Sequence, residues 1–259
     1  MPLPLHHQII GEGPPLIVLH GLFGSGTNWR SFARSMVDGR QVHLLDLRNH
    51  GRSPHSEEMS YPLMAADLFA YMDQQSLKTA TLMGHSMGGK VAMLAALQSP
   101  ERVSDMVVVD IAPVAAGHDH LPVILAMQSI DLDVISRREP ASEMLSDAIP
   151  DAGLRHFLLQ NLERDDLGFR WRLNLPALAA NMTALHDFPV DAAKDRYPGP
   201  TLFVRGEKSD YVPDRHFELI RRYFPAAEIR TVADAGHWPH AEKPQAFAET
   251  VKTFLDPAG

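Results

Sequence analysis

The chain has no cysteine in its 259 residues. That excludes disulfides and thiolate chemistry, and leaves cysteine usage silent on the redox compartment. It also lacks any apolar run approaching the ~18 residues of a membrane span. Positive charge is in the minority, 24 Lys and Arg against 32 Asp and Glu, for a net charge of −8. This balance argues against nucleic acid or an anionic membrane as a partner. The opening Met1-Pro2-Leu3-Pro4-Leu5-His6-His7 has no basic segment leading into an apolar one. A secretory signal is therefore not expected, and a cytoplasmic protein is. Neither an internal repeat nor a low-complexity tract is visible. What remains, 45% hydrophobic and 22% charged, is an ordinary globular composition. The length suits one large core, or a core domain carrying an inserted subdomain.

Short apolar runs alternate with longer helical patterns, which predicts a mostly parallel sheet covered on both faces. The expected strands are Leu16–Leu19, Val42–Leu45, Thr79–Met83, Met106–Val109, Thr201–Val204 and Glu228–Thr231. Helices are expected over Thr27–Met36, Met64–Gln75, Lys90–Gln98, Pro213–Tyr223 and Pro244–Leu255. The alternation breaks once. Between Pro113 and Pro200 only helical patterns show, over Leu121–Ile135, Ala141–Ile149 and Leu175–Leu185. This predicts a core of residues 1–112 and 201–259 with a helical cap, 113–200, over the carboxyl ends of the strands, where open α/β sheets bind ligands. The plainer alternative is that these helices extend the core.

Gly84-His85-Ser86-Met87-Gly88 lies where the run Ala80–Met83 passes into the Ala-, Leu- and Met-rich Lys90–Gln98. A strand turning directly into a helix forces the middle residue into a strained conformation with its side chain exposed. Gly84 and Gly88 then stand where a Cβ would collide with backbone. Ser86 is the candidate nucleophile; the plainer reading is a Gly/Ser turn. A serine hydroxyl needs a base at neutral pH, and His237 is placed for it, after the last expected strand and before the last helix. The chain has 14 histidines, so position and not residue type carries this choice. His85 and His20 read as packing or loop-supporting residues. For the oxyanion hole, Met87 supplies one backbone N–H and Leu22 the other, with Phe23 as the alternative.

The acid that orients His237 has two candidates. Asp110 ends the run Met106–Val109; Asp210 follows Thr201–Val204 but sits one place late, with Ser209 in the third position after Gly206. If Asp110 is the acid, Ser209 is placed to hydrogen-bond into the same site. Plainer roles exist for both carboxylates: loop capping for Asp110, a helix N-terminal acid for Asp210. His118-Asp119-His120 lacks further ligands at telling spacing and reads as exposed loop, so no metal site is expected. Pocket walls are expected near Phe23 and among Leu121, Ile124, Met127, Met144, Leu158 and Trp171, with most of these serving as cap core.

Leu19-His20-Gly21-Leu22-Phe23-Gly24-Ser25, Asp46-Leu47-Arg48-Asn49-His50-Gly51-Arg52-Ser53, Gly84–Gly89 and Ala235-Gly236-His237-Trp238 resemble α/β-hydrolase motifs, across nearly the whole chain. More narrowly, Val109-Asp110-Ile111-Ala112-Pro113 and the stretch Gly236–Pro244 resemble the YbfF-type esterases, a subgroup similar to α/β-hydrolase domain-containing protein 11. The resemblance implies an α/β-hydrolase fold: a mostly parallel central sheet flanked by helices, with a helical cap inserted after the sixth strand. It implies an acid after that strand and a serine in the usual acid slot, which favours Asp110 with Ser209. The implied activity is a serine carboxylesterase, whose acyl-transfer chemistry needs no cofactor or metal. Largely apolar pocket walls with a negative surface point to small-molecule neutral esters of short or medium acyl chain. Alternatives on the same scaffold are an acyl thioesterase, a cofactor-free perhydrolase and a lyase. A non-enzymatic ligand-binding protein is the alternative from another class.

Overall fold

The computed structural model describes residues 1–115, 119–135, 137–166, 168–190 and 195–256. Its strands are β1 His7–Ile10, β2 Pro15–Leu19, β3 Gln41–Leu45, β4 Ala80–His85, β5 Val103–Val109, β6 Leu162–Asp165, β7 Gly168–Trp171, β8 Thr201–Gly206 and β9 Ala227–Val232. The helices are α1 Arg30–Ser35, α2 Tyr61–Gln74, α3 Met87–Gln98, α4 Leu121–Gln128, α5 Arg138–Met144, α6 Ala152–Leu159, α7 Leu175–Ala180, α8 Met182–His186, α9 Phe217–Tyr223, α10 Pro239–Glu242 and α11 Pro244–Leu255. Seven strands form one sheet in the order β1-β3-β2-β4-β5-β8-β9. Only β1 runs antiparallel, against β3; the other pairings are parallel.

Central strands buried on both faces read as unbroken apolar runs, because helices cover each side. Along β2, Leu16 and Val18 point to a layer with Trp29, Phe32 and Phe247 from α11's side of the sheet. Ile17 and Leu19 point the other way, to Met64 and Leu68 of α2 and Val91 of α3. Each such fully buried side chain contributes about 1.5–3 kcal/mol relative to exposure. The strand β1 was not among the sequence expectations. It is a four-residue edge strand with half-exposed residues, too short to show a periodic pattern.

The chain leaves the sheet after β5 and returns at β8. β5 is the fifth strand along this chain, where the resemblance numbered it sixth. The inserted segment carries α4 to α8, of which α4, α5, α7 and α8 overlap the expected helical patterns and α6, Ala152–Leu159, lies outside them; two further corrections apply. It contains a strand pair: β6 and β7 form an antiparallel hairpin, with Glu163 opposite Arg170. The hairpin's opposite pairs mix apolar and charged residues, Leu162 with Trp171, Arg164 with Phe169 and Glu163 with Arg170. The last is an ion pair at 2.5 Å that Asp165 joins from the diagonal at 3.0 Å, so no apolar alternation marked the two strands. The helices are also shorter than their apolar patterns. The one expected to reach Ile135 stops at Gln128, before the polar Ser129 and Asp131. The one expected over Leu175–Leu185 breaks at Asn181 into α7 and α8. Among the described residues, no helix is long and apolar enough to cross a membrane.

Candidate active site

Two strand ends and one late loop meet at the carboxyl edge of the sheet. At the end of β4, Ser86 has φ 51° and ψ −116°, a conformation that side chains rarely adopt. Its N–H donates to the carbonyl of Val109 on β5 at 3.0 Å, which fixes the turn against its neighbour. A Cβ on Gly84 would run into the backbone of Gly88 and Gly89, and one on Gly88 into the carbonyls of Leu19 and His20. The two glycines are thus required by close backbone approach, and together they hold the turn that lifts Ser86 out of the sheet.

Asp110, one residue past β5, also has positive φ, 51°. It is completely buried. A buried carboxylate needs donors, and three converge on it. The Gly206 N–H donates to Oδ1 at 2.9 Å. The Ser209 hydroxyl donates to Oδ2 in a short contact, and His237 Nδ1 lies 2.8 Å from the same oxygen. Since an ionised carboxylate only accepts, Nδ1 carries the proton and Nε2 keeps the lone pair. Asp210 is exposed and is not the group hydrogen-bonded to His237 Nδ1.

His237 is held on its other sides as well. Tyr211 stacks on its ring at 3.7 Å between centroids and 17° between planes. The backbone of Tyr211 donates in turn to Ser209 Oγ at 3.3 Å. His85 Nε2 donates to the carbonyl of His237 at 2.8 Å. Burial pushes the His85 imidazole well below its ordinary range, so it stands neutral beside His237. His85 and His237 rings are 4.7 Å apart, which brings the late loop against the residue preceding Ser86.

The loop after β2 offers Leu22 and Phe23. Phe23, at φ 65°, donates its N–H to His50 Nε2 at 3.3 Å and is committed to that partner. His50 donates from Nδ1 to the carbonyl of Arg48, and burial lowers its pKa to about 3, which keeps it the neutral acceptor that Phe23 requires. His20 accepts from the Leu47 N–H at 2.9 Å, supporting the same loop. Leu22 and Met87 both line the cleft that contains Ser86.

That cleft is narrow, with a cavity volume of about 30 Å³, far below the several hundred Å³ of ligand pockets. Its buried wall comprises Tyr61, Met87, Lys90, Ile111, Met182 and Leu185; His120, His186 and Tyr211 stand at its more exposed side. The loop near Phe23 borders it through Leu22, as expected, but none of Leu121, Ile124, Met127, Met144, Leu158 and Trp171 does. Ile124, Met127 and Leu158 are buried in the hydrophobic core, and Met144 is exposed. Lys90 and Tyr211 were missed from sequence. A lone cation inside the apolar run Met87–Leu97 was the available signal for Lys90. Among the described residues, no cluster of His, Asp or Glu could hold a metal ion. Asp119 lies 3.9 Å from His186, while His118 is outside the described residues.

Residues 16–250 match the family model described as the alpha/beta hydrolase family. The chain is 45% identical to the mouse sn-1-specific diacylglycerol lipase ABHD11, over 98% of this chain and 86% of that protein. It is 33% identical to the Escherichia coli esterase YbfF, over 93% of both. A solved marine microorganism esterase superposes with a TM-score of 0.92 at 40% identity, covering 97% of this chain and 99% of its own. Sheet order, the strained serine between two required glycines and these likenesses agree: the chain belongs to the α/β-hydrolase family.

Proposed function

We propose that this chain is a serine carboxylesterase working through Ser86, His237 and Asp110 on small to medium neutral esters. Ester hydrolysis as such stands on family membership and on relatives named esterase and lipase. The observation that carries the mechanism is the buried Asp110 bonded to His237 Nδ1, which leaves Nε2 as a base. Ser86 Oγ attacks the ester carbonyl carbon as Nε2 takes its proton. The carbonyl π electrons move onto oxygen, where the N–H groups of Leu22 and Met87 stabilise the charge. As the tetrahedral intermediate collapses, the C–O bond to the alcohol breaks and the imidazolium gives that oxygen its proton. Water, deprotonated by the same nitrogen, then cleaves the acyl-enzyme and regenerates Ser86. Asp110 remains ionised throughout and stabilises the imidazolium. Leu22 is chosen over Phe23 because the Phe23 N–H already has its acceptor.

The inserted segment acts as the cap in this reading, since Met182, Leu185 and His186 close one side of the cleft. Neutral acyl groups are favoured by the apolar side chains of Leu22, Met87, Ile111, Met182 and Leu185 and by the net charge of −8. A panel of p-nitrophenyl acetate, butyrate and octanoate, with charged esters beside them, tests the reading. Turnover of the neutral esters that disappears in Ser86→Ala is expected; a preference for charged esters would overturn the substrate class.

A further inference from the structure

The deep side of the cleft is organised by a buried cation. Lys90 follows Ser86 by four residues on α3, which places it on the same helix face about 6 Å further along the axis. It is 1% exposed. Its Nζ donates to the carbonyls of His186 at 2.9 Å and Asp187 at 3.0 Å, and lies 5.4 Å from the centre of the Tyr61 ring. Two carbonyls and one π face thus account for the three N–H groups of the ammonium. Tyr61, on α2, donates its own hydroxyl to the carbonyl of Leu185 at 2.7 Å. Three consecutive carbonyls at the end of α8 are therefore gripped by two side chains rooted in core helices.

The grip has a mechanical reason. A helix end leaves its last carbonyls without partners, and a cation there offsets their negative charge. With five residues, α8 is too short to hold its own shape in water. Yet it carries Met182 and Leu185, which form the cleft wall beside Lys90 and Tyr61. We infer that Lys90 is a positioning residue for substrate specificity: by clamping the last turn of α8 it fixes the floor of the acyl cleft and limits the acyl chain that fits. The inference rests on the esterase reading above. Lys90 touches no reacting atom in it and acts through the position of Met182 and Leu185.

The test is the ratio of kcat/KM for p-nitrophenyl octanoate to that for the acetate, in wild type, Lys90→Met and Lys90→Gln. Acetate is too short to reach the floor, so catalytic effects common to both esters cancel in the ratio. Lys90→Met removes the donors, and the ratio is expected to rise about tenfold, carried by KM for octanoate. Lys90→Gln keeps N–H donors and is expected to hold the ratio within about threefold of wild type. An unchanged ratio in Lys90→Met, or an equal rise in both variants, overturns the inference.

Should the Lys90 variants fail to fold, Tyr61→Phe decides: it removes the donor to the Leu185 carbonyl, the other grip on the same turn. The octanoate-to-acetate ratio is expected to rise in Tyr61→Phe as well, and an unchanged ratio there overturns the inference. Absence of turnover on every ester would instead overturn the esterase reading itself.

Discussion

Replacing Asp110 by Asn keeps the volume of a buried side chain and tolerates its positive φ, since Asn visits that region more readily than most residues. What changes is the donor balance. The carboxylate accepts at Oδ1 from Gly206 and at Oδ2 from His237 and Ser209. An amide has one acceptor and one donor end. With its oxygen toward His237, its NH₂ confronts the Gly206 N–H, and an unsatisfied buried pair costs about 1–3 kcal/mol. With the amide flipped, His237 must accept at Nδ1, which protonates Nε2 and removes the base. In both orientations the negative charge that stabilises the imidazolium is gone. The comparable change in a serine-protease triad lowers kcat by about 10⁴. With the hole and the cleft intact, Asp110→Asn is expected to lower kcat on p-nitrophenyl butyrate by about 10³–10⁴, some 4–5.5 kcal/mol in barrier. Circular dichroism and the urea midpoint report whether the fold survives. A kcat within about tenfold of wild type, or a collapse in Asp210→Asn instead, would refute the reasoning.

Ser209→Ala removes one donor from the Asp110 carboxylate and the acceptor of the Tyr211 N–H. A loss of about 1–2 kcal/mol is expected, read as roughly a tenfold fall in kcat with KM little changed; an unaltered kcat contradicts the role. Stability should fall on the acid side of neutrality. Burial lowers the pKa of His43 to about 4 and of His50 and His240 to about 3. In the unfolded chain these imidazoles titrate near pH 6.5, so below that the unfolded state binds more protons and gains on the folded one. Stability from this source is complete above about pH 6.5 and is lost progressively as pH falls toward about 3–4. Urea midpoints at about pH 7.5 and 5 test this, because carboxylates remain mostly ionised over that range. A lower midpoint at the acidic pH is expected, and an equal or higher one would contradict burial of neutral imidazoles.

The parts of this molecule legible in its sequence are those where backbone contact or two-sided burial leaves few choices. Gly84 and Gly88 are dictated by the carbonyls and amides that a Cβ would strike, so the turn around Ser86 could be read directly. The runs Leu16–Leu19 and Met106–Val109 are apolar throughout because helices cover both faces of the sheet. The shift of one residue that puts Ser209 in the usual acid slot was also visible, though residue types alone left Asp110 and Asp210 both open. Less legible was whatever depends on polar partners distant in sequence. The β6–β7 hairpin is short and mixes charged with apolar pairs, and β1 is a short edge. The cleft wall mixes α2, α3 and α8, so no single segment announces it. The commitment of the Phe23 N–H to His50 depends on a backbone turn that residue identity does not encode.

The most direct test of the central claim is covalent labelling. A fluorophosphonate probe is incubated with the protein, and the modified peptide is mapped by mass spectrometry in wild type and Ser86→Ala. A single adduct on Ser86, absent from Ser86→Ala together with all turnover of p-nitrophenyl butyrate, is the result expected of this site. An adduct on another residue, or ester turnover that survives in Ser86→Ala, would contradict it.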